Sequence, residues 1–359
     1  MKILFIIPTL GTGGAERVAS ILANYLSENN KVEFFVMEKS DTARYPIKDK
    51  VSINEAGINV KRGKKIKVII NFAINFLRQR DKLKSEINKF KPNVIISFLP
   101  KADILTASVK KNCKWIGSER NDPMSRSSIE RNVLNLIYKK TDMLICQTQK
   151  VADYYLVKKV KKTCVIRNPL ILEEATPFSN KENYIISVGR LDKQKNYPML
   201  IRAFTKAKKT DKFTEKLYIV GAGPQQAELQ NLINSLKMEQ EIMLLGRKSN
   251  VRKYLNKAKA FILSSDYEGL PNAMLEAMDA GLPIISTDFF TGAAREFVDE
   301  ENGYIVPIGD ISKMAKAIEE LLGKQEEQLE QMGVVSKQRV KKLGVEEISQ
   351  EWEKIIRVV

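Results

Sequence analysis

Short, nearly continuous runs of Ile, Val, Leu and Phe alternate along this chain with longer stretches in which apolar residues recur every three to four positions. The first pattern predicts strands buried on both faces, and the second predicts amphipathic helices lying between them. In the first half the predicted strands are Ile3–Ile7, Val32–Met37, Val94–Phe98, Trp115–Gly117, Met143–Cys146 and Cys164–Arg167. Helical patterns separate them, among them Ala15–Glu28, Lys65–Phe90 and Ser128–Lys139. A second series follows at Tyr184–Val188, Lys216–Val220, Ile242–Leu245, Ala260–Leu263, Pro283–Ser286 and Gly303–Val306. The stretch Asn168–Lys181, with two prolines and no period, reads as the connection between two domains. The expectation is α/β throughout: a doubly wound, Rossmann-like domain over 1–168 and another from 169 to about 340, facing each other across a cleft.

Composition narrows the chemistry. The length of 359 residues suits two domains. With no histidine and only Cys113, Cys146 and Cys164, none in a C-x-x-C pair, the chain offers no zinc ligand set. It also cannot run Ser-His-Asp or Cys-His catalysis. A disulfide framework is not expected, which fits a reducing compartment. Met1–Leu10 is apolar enough to suggest a signal peptide, but it runs straight into Gly11-Thr12-Gly13-Gly14 without a small-residue cleavage site. It reads better as a first buried strand. No apolar stretch reaches the ~18 residues of a spanning helix, so the expected location is cytosolic, or at a membrane from its cytosolic side.

The net charge of +17 is unevenly distributed. Residues 1–168 hold 33 Lys and Arg against 15 Asp and Glu, whereas the remainder is nearly neutral. That asymmetry points the first domain at an anionic surface, polymer or phosphate-bearing substrate, or simply reflects a lysine-rich solvated face.

In open α/β sheets ligands bind beyond the carboxyl ends of the strands, and the glycine-rich and charged loops fall there. After the first strand, Gly11-Thr12-Gly13-Gly14-Ala15-Glu16 opens a helix and reads either as a phosphate loop or as a plain strand-to-helix turn. Glu16 stands where a dinucleotide fingerprint needs its third glycine, and the Walker G-K-[ST] is missing, so an NAD enzyme or P-loop NTPase is disfavoured. After the strand at 184–188 comes Gly189-Arg190-Leu191-Asp192-Lys193-Gln194-Lys195. Arg190 and Lys195, five apart on a loop, can converge on one diphosphate. Gly221-Ala222-Gly223-Pro224 reads as a turn that a ligand could approach closely. The most informative segment is Glu268-Gly269-Leu270-Pro271-Asn272-Ala273, leading to Glu276. Pro271 suits the first position of a helix running to about Ala280 and stopping at Gly281, and the amides of Asn272 and Ala273 would then form an anion site. Glu268 and Glu276 can face one crevice, and a carboxylate that accepts two adjacent hydroxyls is a usual holder of ribose.

In their order along the chain, these residues resemble the retaining glycosyltransferases of family 4, which have the GT-B fold. The resemblance rests on Gly13–Arg17, Gly189–Lys195, Gly221–Pro224, the E-x7-E pair Glu268/Glu276, and the late loop with Thr291-Gly292 and Glu296. It implies an acceptor-binding first domain and a second domain that binds a UDP-sugar. By position, Arg190 and Lys195 would contact the diphosphate, Glu276 the ribose and Glu268 the transferred sugar, with Gly13 and Gly14 approaching the phosphates from the first domain. It also implies that 341–359 crosses back to the first domain, and that no metal or other cofactor is needed.

Many members of that family place a histidine at a strand end facing the donor sugar. Here the matching place reads Gly117-Ser118-Glu119-Arg120-Asn121-Asp122-Pro123, with Arg120 at the histidine position. The acceptor-side candidates are therefore Glu119, Arg120 and Asp122. This arrangement is similar to enzymes that extend polyprenyl-diphosphate-linked oligosaccharides, O-antigen or capsule units, and the implied donor sugars include N-acetylhexosamines.

Residues 57–91 carry eleven Lys and Arg against Asp81 and Glu86. On a helical wheel Ile66, Ile69, Ile70, Ala73 and Leu77 form the expected core stripe, and Lys67, Arg78, Lys82 and Lys89 fall in a ~60° sector away from it. With Val68 and Phe72 outside both, this strip is expected to meet an anionic membrane or a lipid diphosphate, the plain alternative being a solvated face. No aromatic-interleaved basic motif or known module suggests nucleic acid. The predicted activity is retaining, metal-independent transfer from a UDP-sugar to a membrane-associated glycan acceptor. A sugar-nucleotide epimerase of the same fold and a non-catalytic nucleotide-binding subunit are the alternatives.

Overall fold

The structure is a computed structural model that describes residues 1–11, 13–39, 45–58 and 65–359, with side chains left out for 58 and 65–73. It divides into two compact units: Met1–Pro169 with Val345–Val359, and Leu170–Gly344.

In the first unit, β1 (Lys2–Ile7), α1 (Gly14–Leu26), β2 (Lys31–Glu38), β3 (Ser52–Ile58), α2 (Lys65–Phe90), β4 (Val94–Phe98) and α3 (Pro100–Ala107) come first. They are followed by β5 (Lys114–Ser118), α4 (Ser128–Tyr138), β6 (Met143–Cys146), α5 (Gln149–Val157) and β7 (Thr163–Val165). The strands form one parallel sheet in the order β3-β2-β1-β4-β5-β6-β7. Because side chains alternate across a strand, Leu4, Ile6 and Ile95 join the core beneath α2 to α5. Phe5, Phe34 and Phe98 point to the other face, where Phe98 stacks on Trp352 with ring centroids 6.1 Å apart. Trp352 belongs to the last helix, which packs on α1.

The second unit contains β8 (Tyr184–Val188), α6 (Tyr197–Lys208), β9 (Lys216–Val220), α7 (Gln226–Ser235), β10 (Ile242–Gly246), α8 (Val251–Lys257) and β11 (Ala260–Leu263). It continues with α9 (Asn272–Asp279), β12 (Ile284–Thr287), α10 (Ala293–Phe297), β13 (Gly303–Val306), α11 (Ile311–Leu322) and α12 (Glu326–Val340). Its parallel sheet runs β10-β9-β8-β11-β12-β13. The chain enters and leaves this unit at one place, where Leu170 pairs with Gly344; α13 (Val345–Val358) then completes the first unit.

The strands at 143–146, 184–188, 216–220, 260–263 and 303–306 form with the bounds the apolar runs predict. Strand β3, with the sequence Ser-Ile-Asn-Glu-Ala-Gly-Ile, lacks such a run. It sits at the sheet edge, where pairing with β2 alone suffices and fewer apolar residues are required.

Of the expected core stripe of α2, the Ile66, Ile69, Ile70 and Ala73 side chains lie outside the described residues, and Leu77 is not buried. Among the described side chains of α2, Gln79, Leu83, Glu86, Ile87 and Phe90 are the buried positions, whereas Leu77 is 52% exposed, beside an exposed Ile74. An apolar run as dense as 66–77 supports more than one stripe, and packing against β2, β3 and α3 selects among them. Of the expected cationic strip, Arg78, Lys82 and Lys89 are all exposed, and Lys82 also donates to the Ala56 carbonyl. The Lys67, Val68 and Phe72 side chains lie outside the described residues. Among the described residues, no helix is long and apolar enough to cross a membrane.

Candidate active site

Within the second sheet the winding direction reverses between the neighbours β8 and β11. At such a switch point the loops leaving the two strands diverge and open a crevice. The loop after β8 carries Gly189 to Lys195, and the loop after β11 carries Ser264 to Glu268.

Hydrogen bonds join the two loops. Asp266 N donates to Gln194 O at 2.9 Å, Ser264 Oγ to Lys195 O at 2.7 Å, and Asn196 Nδ2 to Asp266 Oδ1 at 2.7 Å. At the centre, Lys195 Nζ lies 2.6 Å from Glu268 Oε1, with both side chains mostly buried. Ser265 Oγ donates to the same oxygen at 2.7 Å, and Gln194 Nε2 reaches Oε2 at 3.3 Å. Buried carboxylates persist when they are paired and hydrogen-bonded, and Glu268 has both. Ser265, Gln194 and the Asn196–Asp266 pair escaped the sequence reading; their polar type in loops after strands was the available signal, but, the Ser265–Glu268 bond apart, their partners lie some seventy residues away.

Arg190 and Lys195 pair with different carboxylates. The Arg190 guanidinium is 76% exposed and pairs with Asp192 at 3.1 Å. Gly189 is needed where it stands: a Cβ there would meet Lys195 Cε at 2.7 Å, so its absence lets the lysine stem pass.

Gly221 and Gly223 have a packing role. A Cβ on Gly221 would lie 1.8 Å from the Gly189 carbonyl oxygen, and one on Gly223 2.4 Å from that of Leu191. Both glycines therefore face protein backbone. They let the loop after β9 seat the Arg190 loop, with Leu191 N donating to Ala222 O at 3.1 Å.

Pro271 occupies the cap position, one residue earlier than expected, and α9 begins at Asn272. The first turn of a helix leaves its N–H groups without intrahelical acceptors; in α9 these belong to Asn272 and Ala273. Glu276 is half-buried in the second turn, and the helix ends before Gly281, which has φ +71°. Thr291 Oγ1 donates to Gly269 O at 2.9 Å, steadying the approach to the helix.

In the first unit, Gly13 caps α1 and Gly14 is its first residue. Glu16 folds back over Gly13, where a Cβ would meet its Oε2 at 2.2 Å, and its Oε1 accepts from Thr9 Oγ1 at 3.0 Å.

The acceptor-side candidates are all buried, and Glu119 is fully engaged by the scaffold. Glu119 takes two bonds from Arg126 at 2.6 Å and one from Tyr155 Oη at 2.6 Å. Burial by itself would raise its carboxyl, but the Arg126 charge and these bonds outweigh that and hold it below the usual range. Asp122 caps the turn at Met124 N, 2.7 Å away. Arg120 lies against the rings of both Phe98 and Trp352, donating to Ser118 Oγ and Asn168 Oδ1, both at 2.7 Å. Burial lowers its guanidinium to about 9. Nearby, Asp103 accepts from Ser97 and Tyr138, yet burial pushes its carboxyl up to about 8.

Comparison with known proteins adds three findings. Residues 171–339 match the family model described as glycosyl transferases group 1. Over its full length the chain is 29% identical to a Campylobacter jejuni protein, covering 99% of it. That relative is named as an alpha-1,4-N-acetyl-D-galactosaminyltransferase acting on GalNAc-alpha-(1->4)-GalNAc-alpha-(1->3)-diNAcBac-PP-undecaprenol. A second Campylobacter jejuni protein, a 4-alpha-N-acetylgalactosaminyltransferase named for an undecaprenyl-diphosphate-linked acceptor, is 28% identical over 89% of this chain and 90% of its own. Among solved structures, Anabaena HepE in complex with UDP superposes with a TM-score of 0.79 at 17% identity, covering all of both chains. Sucrose-phosphate synthase from Thermosynechococcus elongatus gives 0.82 at 18% identity, covering 99% of this chain and 98% of its own.

Proposed function

The chain is a glycosyltransferase with the GT-B fold whose residues 171–339 belong to the group 1 family, and from that premise we propose that it transfers an N-acetylhexosamine from a UDP-sugar to a polyprenyl-diphosphate-linked glycan, with retention of configuration and without a metal. The observation that carries this reading is the Lys195–Glu268 pair at the switch point, beside the start of α9.

The pair sets a fixed positive charge next to a carboxylate with oxygens that accept hydroxyls. In this reading Lys195, Arg190 and the first turn of α9 hold the diphosphate, Glu276 accepts from the ribose, and Glu268 orients the sugar. The exposed Arg190 is free to swing onto a phosphate, giving up an ion pair of little value. As the bond from the anomeric carbon to the phosphate oxygen breaks, the acceptor oxygen bonds to that carbon on the same face. The acceptor proton passes to the departing phosphate oxygen. Cations already aimed at that oxygen stabilise the charge as it develops, so a strong base, and hence histidine, is not required.

The acceptor class is supported by the two Campylobacter jejuni relatives, and a uridine nucleotide by the HepE complex. A lipid-linked acceptor implies work at the cytosolic face of an anionic membrane. The excess of positive charge in the first half supports that location.

The test is incubation with a panel of UDP-sugars, with and without a lipid extract containing polyprenyl-diphosphate glycans. Acceptor-dependent UDP release is expected with one donor. Interconversion of the donor without acceptor would show an epimerase, and nucleotide binding without turnover a non-catalytic subunit. Glu276→Ala is expected to weaken UDP binding by calorimetry, and Glu268→Ala to leave it largely intact while slowing turnover.

A further inference from the structure

The helical layer over one face of the first sheet carries apolar side chains that no described residue covers. On α4, Ile129, Val133 and Leu136 are 76%, 42% and 62% exposed. Spaced i, i+4 and i+7, they lie within a ~60° sector of the helix surface. The helix itself is well specified: Ser127 and Glu130 form a capping box, and Leu134, Ile137 and Tyr138 fill the core on its other side. The exposed ridge is therefore an extra feature, unused by folding. A second exposed pair, Leu156 and Val157, ends α5. Isolated apolar residues on a surface are ordinary, whereas a contiguous ridge marks an interaction site.

The surrounding charge identifies the partner. Between Met124 and Lys162 there are nine lysines and arginines against three carboxylates. Lys140, which continues the α4 ridge, and Lys158, Lys159, Lys161 and Lys162, which follow Val157, are all exposed. Two copies of such a surface would repel each other. A surface that is anionic at its boundary and apolar just beneath it complements both features.

We propose that the outer ridge of α4, with the end of α5, docks onto an anionic phospholipid bilayer. Ile129, Val133, Leu136 and Val157 enter the headgroup–acyl boundary while Lys140 and Lys158 to Lys162 meet lipid phosphates. This rests on the membrane-bound acceptor proposed above and adds the element that touches lipid, α4 and α5 rather than α2.

Full-length protein is sedimented with phosphatidylcholine vesicles, with and without phosphatidylglycerol, at low and high salt. Binding should require phosphatidylglycerol, and part of it should survive high salt, because apolar insertion is not screened. The triple variant Ile129→Ser/Val133→Ser/Leu136→Ser should lose roughly tenfold or more in partitioning, including the salt-resistant part. Its Tm and UDP affinity should stay unchanged; should its Tm fall, Val157→Glu serves as the second probe, with the same loss expected. Vesicle binding equal to that of the unsubstituted protein in both variants would overturn the proposal. So would a dimer, seen by light scattering, that the triple variant dissolves without any change in vesicle binding. Release by Arg78→Glu/Lys89→Glu alone would leave the membrane-bound acceptor standing and refute docking through α4. Retained vesicle binding in a protein that fails to bind UDP would uphold docking while the donor assignment fell.

Discussion

Replacing Lys195 by methionine keeps the length of the side chain and removes its charge, leaving Glu268 buried with only Ser265 and Gln194 as donors. At the 2.6 Å separation, the gross attraction is about 6 kcal/mol for an effective dielectric constant near 20. Desolvation of both groups cancels most of this in the intact pair, but the stranded carboxylate still bears its own share. Since both side chains keep some exposure, a net loss of roughly 2–3 kcal/mol is expected, below the range for a fully buried pair. In a domain of this size that lowers Tm by about 5–10 °C. Glu268→Gln in the Lys195→Met background neutralises the stranded charge and should recover about 1–2 kcal/mol. The four proteins of this cycle are compared by thermal melts and denaturant titration, and by calorimetry with UDP. Lys195→Met should also weaken UDP binding, whereas Glu268→Gln should not. A Lys195→Met protein that melts within a degree or two of the original, with strictly additive effects in the double variant, would refute the pairing and the site built on it.

Gly221→Ala should prevent folding of the second unit or destabilise it by more than about 3 kcal/mol, since its Cβ would collide with the Gly189 carbonyl. Gly309→Ala is the control: φ is +75° but the space is open, so urea melts should show a loss of only about 1 kcal/mol. Asp103 has a carboxyl raised to about 8 by burial, so the folded state binds its proton more tightly than the unfolded chain does. Its contribution is complete below about pH 4 and is lost as pH rises through about 8. Asp103→Asn should flatten that part of the stability profile, and a slope unchanged from the original would contradict it.

The local signals in the sequence were sufficient for the strands other than β3, most helices, the doubly wound class and the segment from Glu268 to Glu276. Each of these depends on neighbours a few residues apart, through the alternation of a strand, the period of a helix or the demands of a turn. What each polar group is used for depends on contacts far along the chain. Glu119 and Asp122 read in sequence as acceptor-side residues, and only the packed molecule shows Arg126 and Tyr155 beside the end of β5 holding Glu119 as a buried anchor. Gly221 and Gly223 read as a turn that a ligand could approach, and only the packed molecule shows that the loop after β8 fills the space their missing side chains leave. Lys195 and Glu268, 73 residues apart, meet because β8 and β11 are neighbours at the reversal of the sheet, and strand order is a property of the packed molecule.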